Sequence, residues 1–160
     1  MIEAKNVSKS FSDILAVDNV SVKIREGSVF GMIGTNGAGK STAFKAALGL
    51  IRLDGGSVSL DGKDVATLGA KEKEKIGVVL SDAGFSNYLA IKDVICIMKG
   101  MYKNFRKDEF VERCKSFGLP LDKQIKEFST GMKAKLKVLT AMSYGAKLLI
   151  LDEPTAGLDV

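Results

Sequence analysis

The feature that most constrains this chain is a glycine-rich octapeptide at residues 34–41, Gly-Thr-Asn-Gly-Ala-Gly-Lys-Ser. It fits the pattern GxxxxGK[ST] at every fixed position. Its glycines allow a tight curl in which successive backbone N–H groups point at phosphate oxygens. A mostly apolar stretch at 28–33 predicts a buried strand before the loop, and apolar spacing from about Ala38 to Leu50 predicts a helix after it. This context favours a nucleotide-phosphate site over a plain glycine turn.

Two side chains in the octapeptide carry groups that suit a nucleotide. The ammonium of Lys40 can reach the β- and γ-phosphates, and the Ser41 hydroxyl can ligate Mg²⁺. The N-terminus of the following helix adds a partial positive charge at the same place. The loop therefore predicts binding of a phosphorylated nucleotide together with a magnesium ion.

Size and composition indicate an ordinary globular domain. The chain has 160 residues, of which 46% are hydrophobic and 27% charged, which excludes a disordered tail, a collagenous repeat and a coiled-coil rod. The longest apolar run, residues 46–51, is far shorter than the ~20 residues that span a bilayer. No N-terminal stretch has the pattern of a secretory signal. Two isolated cysteines, Cys96 and Cys114, are typical of a reduced cytosolic chain.

The net charge of +5 is concentrated in one part of the chain. Residues 92–137 hold 12 basic and 6 acidic side chains, a net charge of +6. A basic region can bind nucleic acid or anionic lipid. Because these charges are spread along amphipathic stretches, they favour a solvated lysine-rich surface, and we expect no nucleic-acid partner.

Apolar periodicity predicts how the chain is organised. Alternation at 2–8 and 19–25 and short stretches at 57–60, 76–80 and 148–151 predict strands. Helical spacing at 91–103, 107–117 and 129–144 predicts three helices. The sequence therefore predicts a single α/β domain over residues 1–160, with a helical subdomain inserted at about 84–144.

Two further segments carry candidate chemistry. Asp152 and Glu153 follow the apolar run 148–151, where one acid can hold a metal's water shell and the next can polarise an attacking water. Ser129, Thr130 and Gly131 begin the predicted helix at 129–144, so a hydroxyl, a glycine backbone and a helix N-terminus coincide there. An N-capped helix is the simpler interpretation, but a second anion site makes sense if it serves a partner's nucleotide.

Together these segments resemble the nucleotide-binding domain of an ABC (ATP-binding cassette) transporter. Residues 34–42 are similar to the family's Walker A motif and residues 148–154 to its Walker B motif with the catalytic glutamate. Residues 129–132, Ser-Thr-Gly-Met, resemble a signature motif that is usually Ser-Gly-Gly-Gln. Residues 156–159, Ala-Gly-Leu-Asp, resemble the D-loop. The order and spacing match across all 160 residues.

The resemblance implies a P-loop NTPase core with an N-terminal antiparallel β subdomain. It implies ATP and Mg²⁺ as ligands, with Lys40 and Glu153 catalytic. By the same resemblance Phe11, where tyrosine is more usual, would stack on adenine, and Val17 would line that site; for Phe11 the alternative is a hairpin core residue. The remaining nucleotide-binding positions are Asn36, Gly37, Ala38, Gly39, Lys40, Ser41, Thr42, Ser129 and Gly131.

The predicted metal ligands include one departure from the family. The family places a glutamine after the strand at 76–80, whereas this chain has Ser81 followed by Asp82. Either oxygen could reach Mg²⁺, beside Ser41 and Asp152. The departure puts γ-phosphate sensing in question, and the altered signature predicts weaker or slower sandwiching of ATP.

The resemblance also implies partners and a location. Two cassettes, in a homodimer or a pair, would sandwich ATP between the phosphate loop of one and Ser129 and Gly131 of the other. A separate integral membrane permease subunit would hold the domain at the cytoplasmic face of the membrane. The apolar face of the predicted helix at 91–103 would then help form a groove for this subunit, with an internal helix face as the alternative. The residues of this face are Val94, Ile95, Met98, Met101 and Tyr102.

The chain contains no histidine, although the family uses one beyond the D-loop to contact the γ-phosphate. We therefore expect a fragment of a longer protein, without the last strands and helices, that binds nucleotide and hydrolyses it poorly. The alternatives are an ABC-type ATPase outside transport, a non-catalytic binding module, and another phosphate-loop enzyme such as a small-molecule kinase. Residues 78–82, Val-Val-Leu-Ser-Asp, look more like exporters of the drug, antibiotic and lantibiotic-resistance type than like importers.

Overall fold

The computed structural model describes residues 1–154, so the predicted D-loop at 156–159 lies outside the described residues. The chain divides into two compact units, Met1–Gly69 and Ala70–Val160. The phosphate-loop sequence belongs to the first unit, and the other candidate motifs belong to the second. A single domain over residues 1–160 with a helical subdomain at about 84–144 stays a prediction.

The first unit is built on an antiparallel sheet of four strands in the order β2-β1-β3-β4. Its buried side chains include Val7 and Val58, which are 3% and 2% exposed. A helix, α1, contacts β1, β2 and β3 and buries Ala46. The predicted antiparallel subdomain is thus confirmed. Its elements are β1 Ile2–Phe11, β2 Ile14–Ile24, α1 Lys40–Ala47, β3 Gly55–Leu60, β4 Lys63–Asp64 and a 3₁₀ turn Val65–Thr67.

The prediction of a buried strand at 28–33 is wrong. The described structure has no regular secondary structure there, and Val29 and Ile33 are fully exposed at 101% and 99%. A strand needs backbone partners at its edges as well as apolar side chains. None of the described strands pairs with these residues, so the apolar composition alone does not produce one.

The second unit combines three amphipathic helices with a parallel pair of strands. β5 and β6 pair in parallel, with Ile76 opposite Leu148 and Val79 opposite Leu151. Each predicted helix is found within a few residues of its expected bounds. The elements are α2 Ala70–Lys73, β5 Ile76–Val79, α3 Ile91–Met101, α4 Lys107–Ser116, a 3₁₀ turn Ile125–Glu127, α5 Thr130–Ala141 and β6 Leu148–Leu151.

The three helices share one hydrophobic core, and this overturns the predicted permease groove. Val94, Ile95 and Met98 are at most 8% exposed and pack inside the cluster. The ring of Tyr102 stacks on Tyr144 with 4.0 Å between centroids. Only Met101, at 62% exposed, remains on the surface from the five residues proposed for the groove. For Val94, Ile95 and Met98 the alternative interpretation, an internal helix face, is therefore correct.

Within residues 1–154, no helix has the length and apolar character needed to cross a membrane.

The helical core predicts a large stability loss when its central aromatic is truncated. Phe110 in α4 is 1% exposed and lies 5.5 Å from Phe105 between ring centroids. We expect Phe110→Ala to lower the free energy of unfolding by about 3–5 kcal/mol, because it removes apolar contact and leaves a cavity. Phe117→Ala at the end of the same helix, where the ring is 52% exposed, is the control and should cost far less. Equal losses in urea denaturation followed by circular dichroism would contradict this packing.

An ion pair between Lys9 in β1 and Asp54, the residue before β3, predicts a pH-dependent contribution to stability. The carboxylate of Asp54 accepts hydrogen bonds from Lys9 Nζ at 2.8 Å and from the Ser10 backbone N–H at 2.7 Å. The Lys9 hydrogen bond, followed by that of the Ser10 amide, lowers the pKa of Asp54 below its ordinary 3.8. The folded state therefore binds this proton less readily than the unfolded state.

It follows that the Asp54 contribution is complete above pH ~4 and is lost as the pH falls through the lowered folded-state pKa. We expect wild type to be more stable than Asp54→Asn at pH 6, and the difference to shrink toward pH 2. Asp13→Asn, in the turn between β1 and β2, controls for the loss of a surface carboxylate. A difference that does not change with pH in urea denaturation would count against the ion pair.

Candidate functional site

The phosphate-loop sequence forms the connection into α1, and one glycine in it cannot be replaced. Gly39 caps the helix with φ of 84°, a left-handed conformation that residues with a Cβ rarely adopt. A Cβ at this position would also lie 2.0 Å from the carbonyl oxygen of Ala16 in β2. The loop is thus pressed against the sheet, and only glycine permits this approach.

Lys40 folds back over the loop that precedes it. Its Nζ donates hydrogen bonds to the carbonyl oxygens of Gly34 at 2.9 Å and Thr35 at 2.8 Å. The backbone N–H of Ala38 also donates to the Thr35 carbonyl at 3.2 Å. These bonds close the loop into a turn with the ammonium group at its centre. A cation held this way, at the N-terminus of a helix, suits an anion with several oxygens.

The other predicted nucleotide-binding residues of the first unit differ in exposure. Asn36, Gly37 and Ala38 are exposed, whereas Ser41 and Thr42, in the first turn of α1, are half-buried. The predicted adenine partner Phe11 is 48% exposed, and Lys9 Nζ lies 5.3 Å above its ring. Val17 is buried and lies beside Gly39. The phosphate-site assignments of the loop residues and the adenine role of Phe11 and Val17 stay predictions.

In the second unit, the parallel strands bring two predicted metal-site residues together. The ladder continues past β6, since the Asp152 backbone N–H donates to the Val79 carbonyl at 2.8 Å. Both strands therefore end at one edge, and the Ser81 hydroxyl donates to Asp152 Oδ2 at 2.9 Å. Asp152 is 1% exposed, and its Oδ1 has no hydrogen-bond partner among the described residues. The sequence proposed Ser81 as a metal ligand and gave no sign of this hydrogen bond; neighbouring Asp82 is exposed.

Glu153 follows in an unusual backbone conformation. Its φ is 48°, in the left-handed region, and its side chain is exposed. Left-handed conformations are costly for residues with a Cβ, and such strain clusters at functional sites. The turn presents the Glu153 carboxylate to solvent, while Asp152 is buried beside it.

Ser129 has the position that the sequence predicts, as the N-cap of α5. Its Oγ accepts a hydrogen bond from the Met132 backbone N–H at 3.2 Å. The first turn of the helix contains no acidic residue. This arrangement satisfies one free helix N–H and leaves the positive end of the helix uncompensated by side-chain charge. The role of Ser129 and Gly131 toward a partner's nucleotide stays a prediction.

A small cavity that sequence reasoning missed lies between the segment after β5 and α5. Its volume is about 200 Å³. Lys133 Nζ donates to Asn87 Oδ1 and Lys137 Nζ donates to the Leu80 carbonyl, each at 3.3 Å. The two lysines are four residues apart on α5, a spacing that the sequence shows, but their loop partners depend on the fold. Its lining residues are Ser81, Asp82, Ala83, Gly84, Phe85, Asn87, Ile125, Lys133, Leu136 and Lys137.

The left-handed backbone of Glu153 predicts that a glycine variant is more stable than an alanine variant at this position, the reverse of their order within a helix. We expect Glu153→Gly to be more stable than Glu153→Ala by about 1 kcal/mol, because glycine adopts a left-handed φ without steric cost. At Lys115, an exposed position within α4, the same comparison should reverse, with glycine about 1 kcal/mol less stable than alanine. Thermal unfolding of the four variants measures both differences. The same sign at both positions would rule out a left-handed Glu153.

Comparison with known proteins identifies the family to which the chain is similar. The family model described as ABC transporter matches residues 17–156. The uncharacterized ABC transporter ATP-binding protein YhcH of Bacillus subtilis is 34% identical over an alignment of 161 positions, which covers 99% of this chain and 53% of that protein. The linearmycin resistance ATP-binding protein LnrL of B. subtilis is 32% identical, covering 99% of this chain and 53% of that protein. The chain thus spans about half the length of these curated relatives.

Solved structures give the same result. The dimeric structure of MJ0796, a bacterial ABC transporter cassette, superposes with a TM-score of 0.85 at 25% identity, covering 99% of this chain and 76% of that one. A structure described as the ATP-binding subunit of an ABC transporter gives a TM-score of 0.83 at 26% identity, covering 99% and 68%. The predicted α/β cassette fold is confirmed. The chain belongs to the ABC transporter family.

Proposed function

We propose that this chain binds and hydrolyses ATP as part of the ATP-binding subunit of an ABC transporter. The observation that carries the proposal is the closed phosphate loop, in which Gly39 is pressed against the sheet and Lys40 lies over the turn at the start of α1. The relatives support it, since both are named as ATP-binding proteins and one of them, YhcH, as an ATP-binding protein of an ABC transporter.

The residues present fit a magnesium ion. Mg²⁺ is usually held by one or two carboxylates together with phosphate oxygens and water. Asp152 offers a buried carboxylate oxygen without a partner among the described residues. When bound, the ion neutralises charge on the phosphates during phosphoryl transfer. Asp152 would hold it.

The remaining steps fall to this chain's own side chains. Lys40 would place its ammonium against the β- and γ-phosphates, exchanging carbonyl acceptors for phosphate oxygens. Glu153 would orient and deprotonate the attacking water, and its exposed carboxylate is available for this. Ser129 and Gly131, at the uncompensated N-terminus of α5, would contact the γ-phosphate of a nucleotide held by a second cassette.

The same proposal extends to partners and location. A solved relative is described as a dimeric cassette, which supports a dimer in which nucleotide lies between two copies. A separate permease in the membrane would carry the substrate, with this chain at its cytoplasmic face.

Nucleotide binding by a Lys40 variant tests the proposal. We expect Lys40→Ala to weaken ATP and ADP binding about 10- to 100-fold, because a hydrogen bond to a charged group contributes about 1.5–3 kcal/mol. Lys45→Ala, near the other end of α1, is the matched control and should bind as wild type does. Titration calorimetry gives the affinities. Equal affinities for wild type and Lys40→Ala would refute the phosphate-loop assignment.

Phosphate release is the second readout of the same experiment. Glu153→Gln should retain nucleotide affinity and lose ATP hydrolysis, since the amide cannot accept the water's proton. Retained hydrolysis in this variant would remove Glu153 from the proposed reaction and leave the binding assignment intact.

A further inference from the structure

The Ser81 hydroxyl makes a hydrogen bond to Asp152 that the proposed magnesium site does not require. It donates to Asp152 Oδ2 at 2.9 Å, across the edge where β5 and β6 end. Within residues 1–154 this is the hydrogen bond that serves the Asp152 carboxylate, because Oδ1 has no partner there. A buried carboxylate without hydrogen-bond donors is destabilising to the fold. In the described structure, the Ser81 hydroxyl is the donor that stabilises the Asp152 carboxylate.

The geometry also fixes direction. A carboxylate is planar, so a hydrogen bond to one oxygen restricts rotation of the whole group and thereby sets where the other oxygen points. Ser81 is itself held in a turn, since the Leu80 carbonyl accepts hydrogen bonds from the Ala83 N–H and from Lys137 Nζ, each at 3.3 Å. Lys137 thus anchors the turn to α5. The Ser81 hydroxyl, which donates to Asp152, is therefore positioned by the turn after β5 and by the contact of that turn with α5.

We infer that Ser81 is a positioning residue: its hydroxyl orients the Asp152 carboxylate for a divalent metal ion, and it acts through Asp152 rather than as a ligand. The inference rests on the proposed function, because it presupposes a metal ion at Asp152. It replaces the sequence-based assignment of Ser81 and Asp82 as alternative metal ligands. Asp82 is exposed.

The test uses Mn²⁺ as a probe in place of Mg²⁺, titrated to the millimolar range in the presence of ADP and followed by electron paramagnetic resonance. Ser81→Ala should weaken Mn²⁺ binding about tenfold, because the carboxylate loses its orienting donor. Ser81→Thr retains the hydroxyl and, at this exposed position, should stay within twofold of wild type. ADP affinity without metal, and the melting temperature, report whether the variants fold and bind nucleotide.

Two controls isolate the hydroxyl. Ser86→Ala removes another serine from the same connection, whose Oγ accepts from the Tyr88 N–H, and should leave Mn²⁺ affinity unchanged. Asp82→Asn should also leave it unchanged, whereas a loss there together with wild-type affinity in Ser81→Ala would make Asp82 the ligand and overturn the inference. Ser81→Thr binding as weakly as Ser81→Ala would overturn it too.

A double-mutant comparison separates positioning from ligation. If Ser81 acts through Asp152, adding Ser81→Ala to Asp152→Asn should cause no further loss of Mn²⁺ affinity. A further loss would show direct ligation and overturn the inference. If Asp152→Asn alone abolishes detectable binding, the alanine and threonine comparison decides. Wild type that binds no Mn²⁺ with ADP overturns the proposed function as well, whereas wild-type binding matched by Ser81→Ala overturns the inference alone.

Discussion

The second unit depends on the parallel pairing of β5 with β6. Parallel strands end at the same edge of a sheet, so residues that are 71 positions apart in the chain, Ser81 and Asp152, become neighbours. Gly77 in β5 lies against both the β6 side chains and the end of α5: a Cβ there would lie 2.5 Å from Leu149 Cδ2 and 2.6 Å from the Ala141 carbonyl. One glycine therefore permits strand, neighbouring strand and helix end to meet. The chemistry proposed for Asp152 depends on that contact.

Much of the fold follows from local sequence. The helices α3, α4 and α5 were predicted because their apolar residues recur at helical spacing, and Ser129 was predicted as a cap because serine accepts from a free helix N–H. The antiparallel strands were predicted from alternation. The candidate loop was found because its residue types are fixed by phosphate geometry. Each of these signals lies within about a dozen residues.

The rest depends on distant parts of the chain. Residues 28–33 have strand composition, but a strand also requires edges to pair with, and composition does not report whether they exist. An apolar helix face has the same pattern whether it meets a partner or the protein's own core, and for Val94, Ile95 and Met98 it meets the core. The Ser81–Asp152 hydrogen bond requires knowing which strands are adjacent. Sequence patterns name the participants at this edge, and tertiary structure determines what they do.

Lys40 already donates two hydrogen bonds to its own loop, so a ligand that binds its ammonium must replace them. An incoming oxygen must compete with two neutral carbonyl acceptors that the ammonium already has. A polyanion can replace the carbonyl groups because it attracts the ammonium more strongly than neutral carbonyl dipoles do. A neutral or weakly charged molecule gains little from the exchange. The loop therefore favours ligands that carry several negative charges over neutral ones. This selection depends on the charge of the phosphate chain and requires no contact with base or sugar.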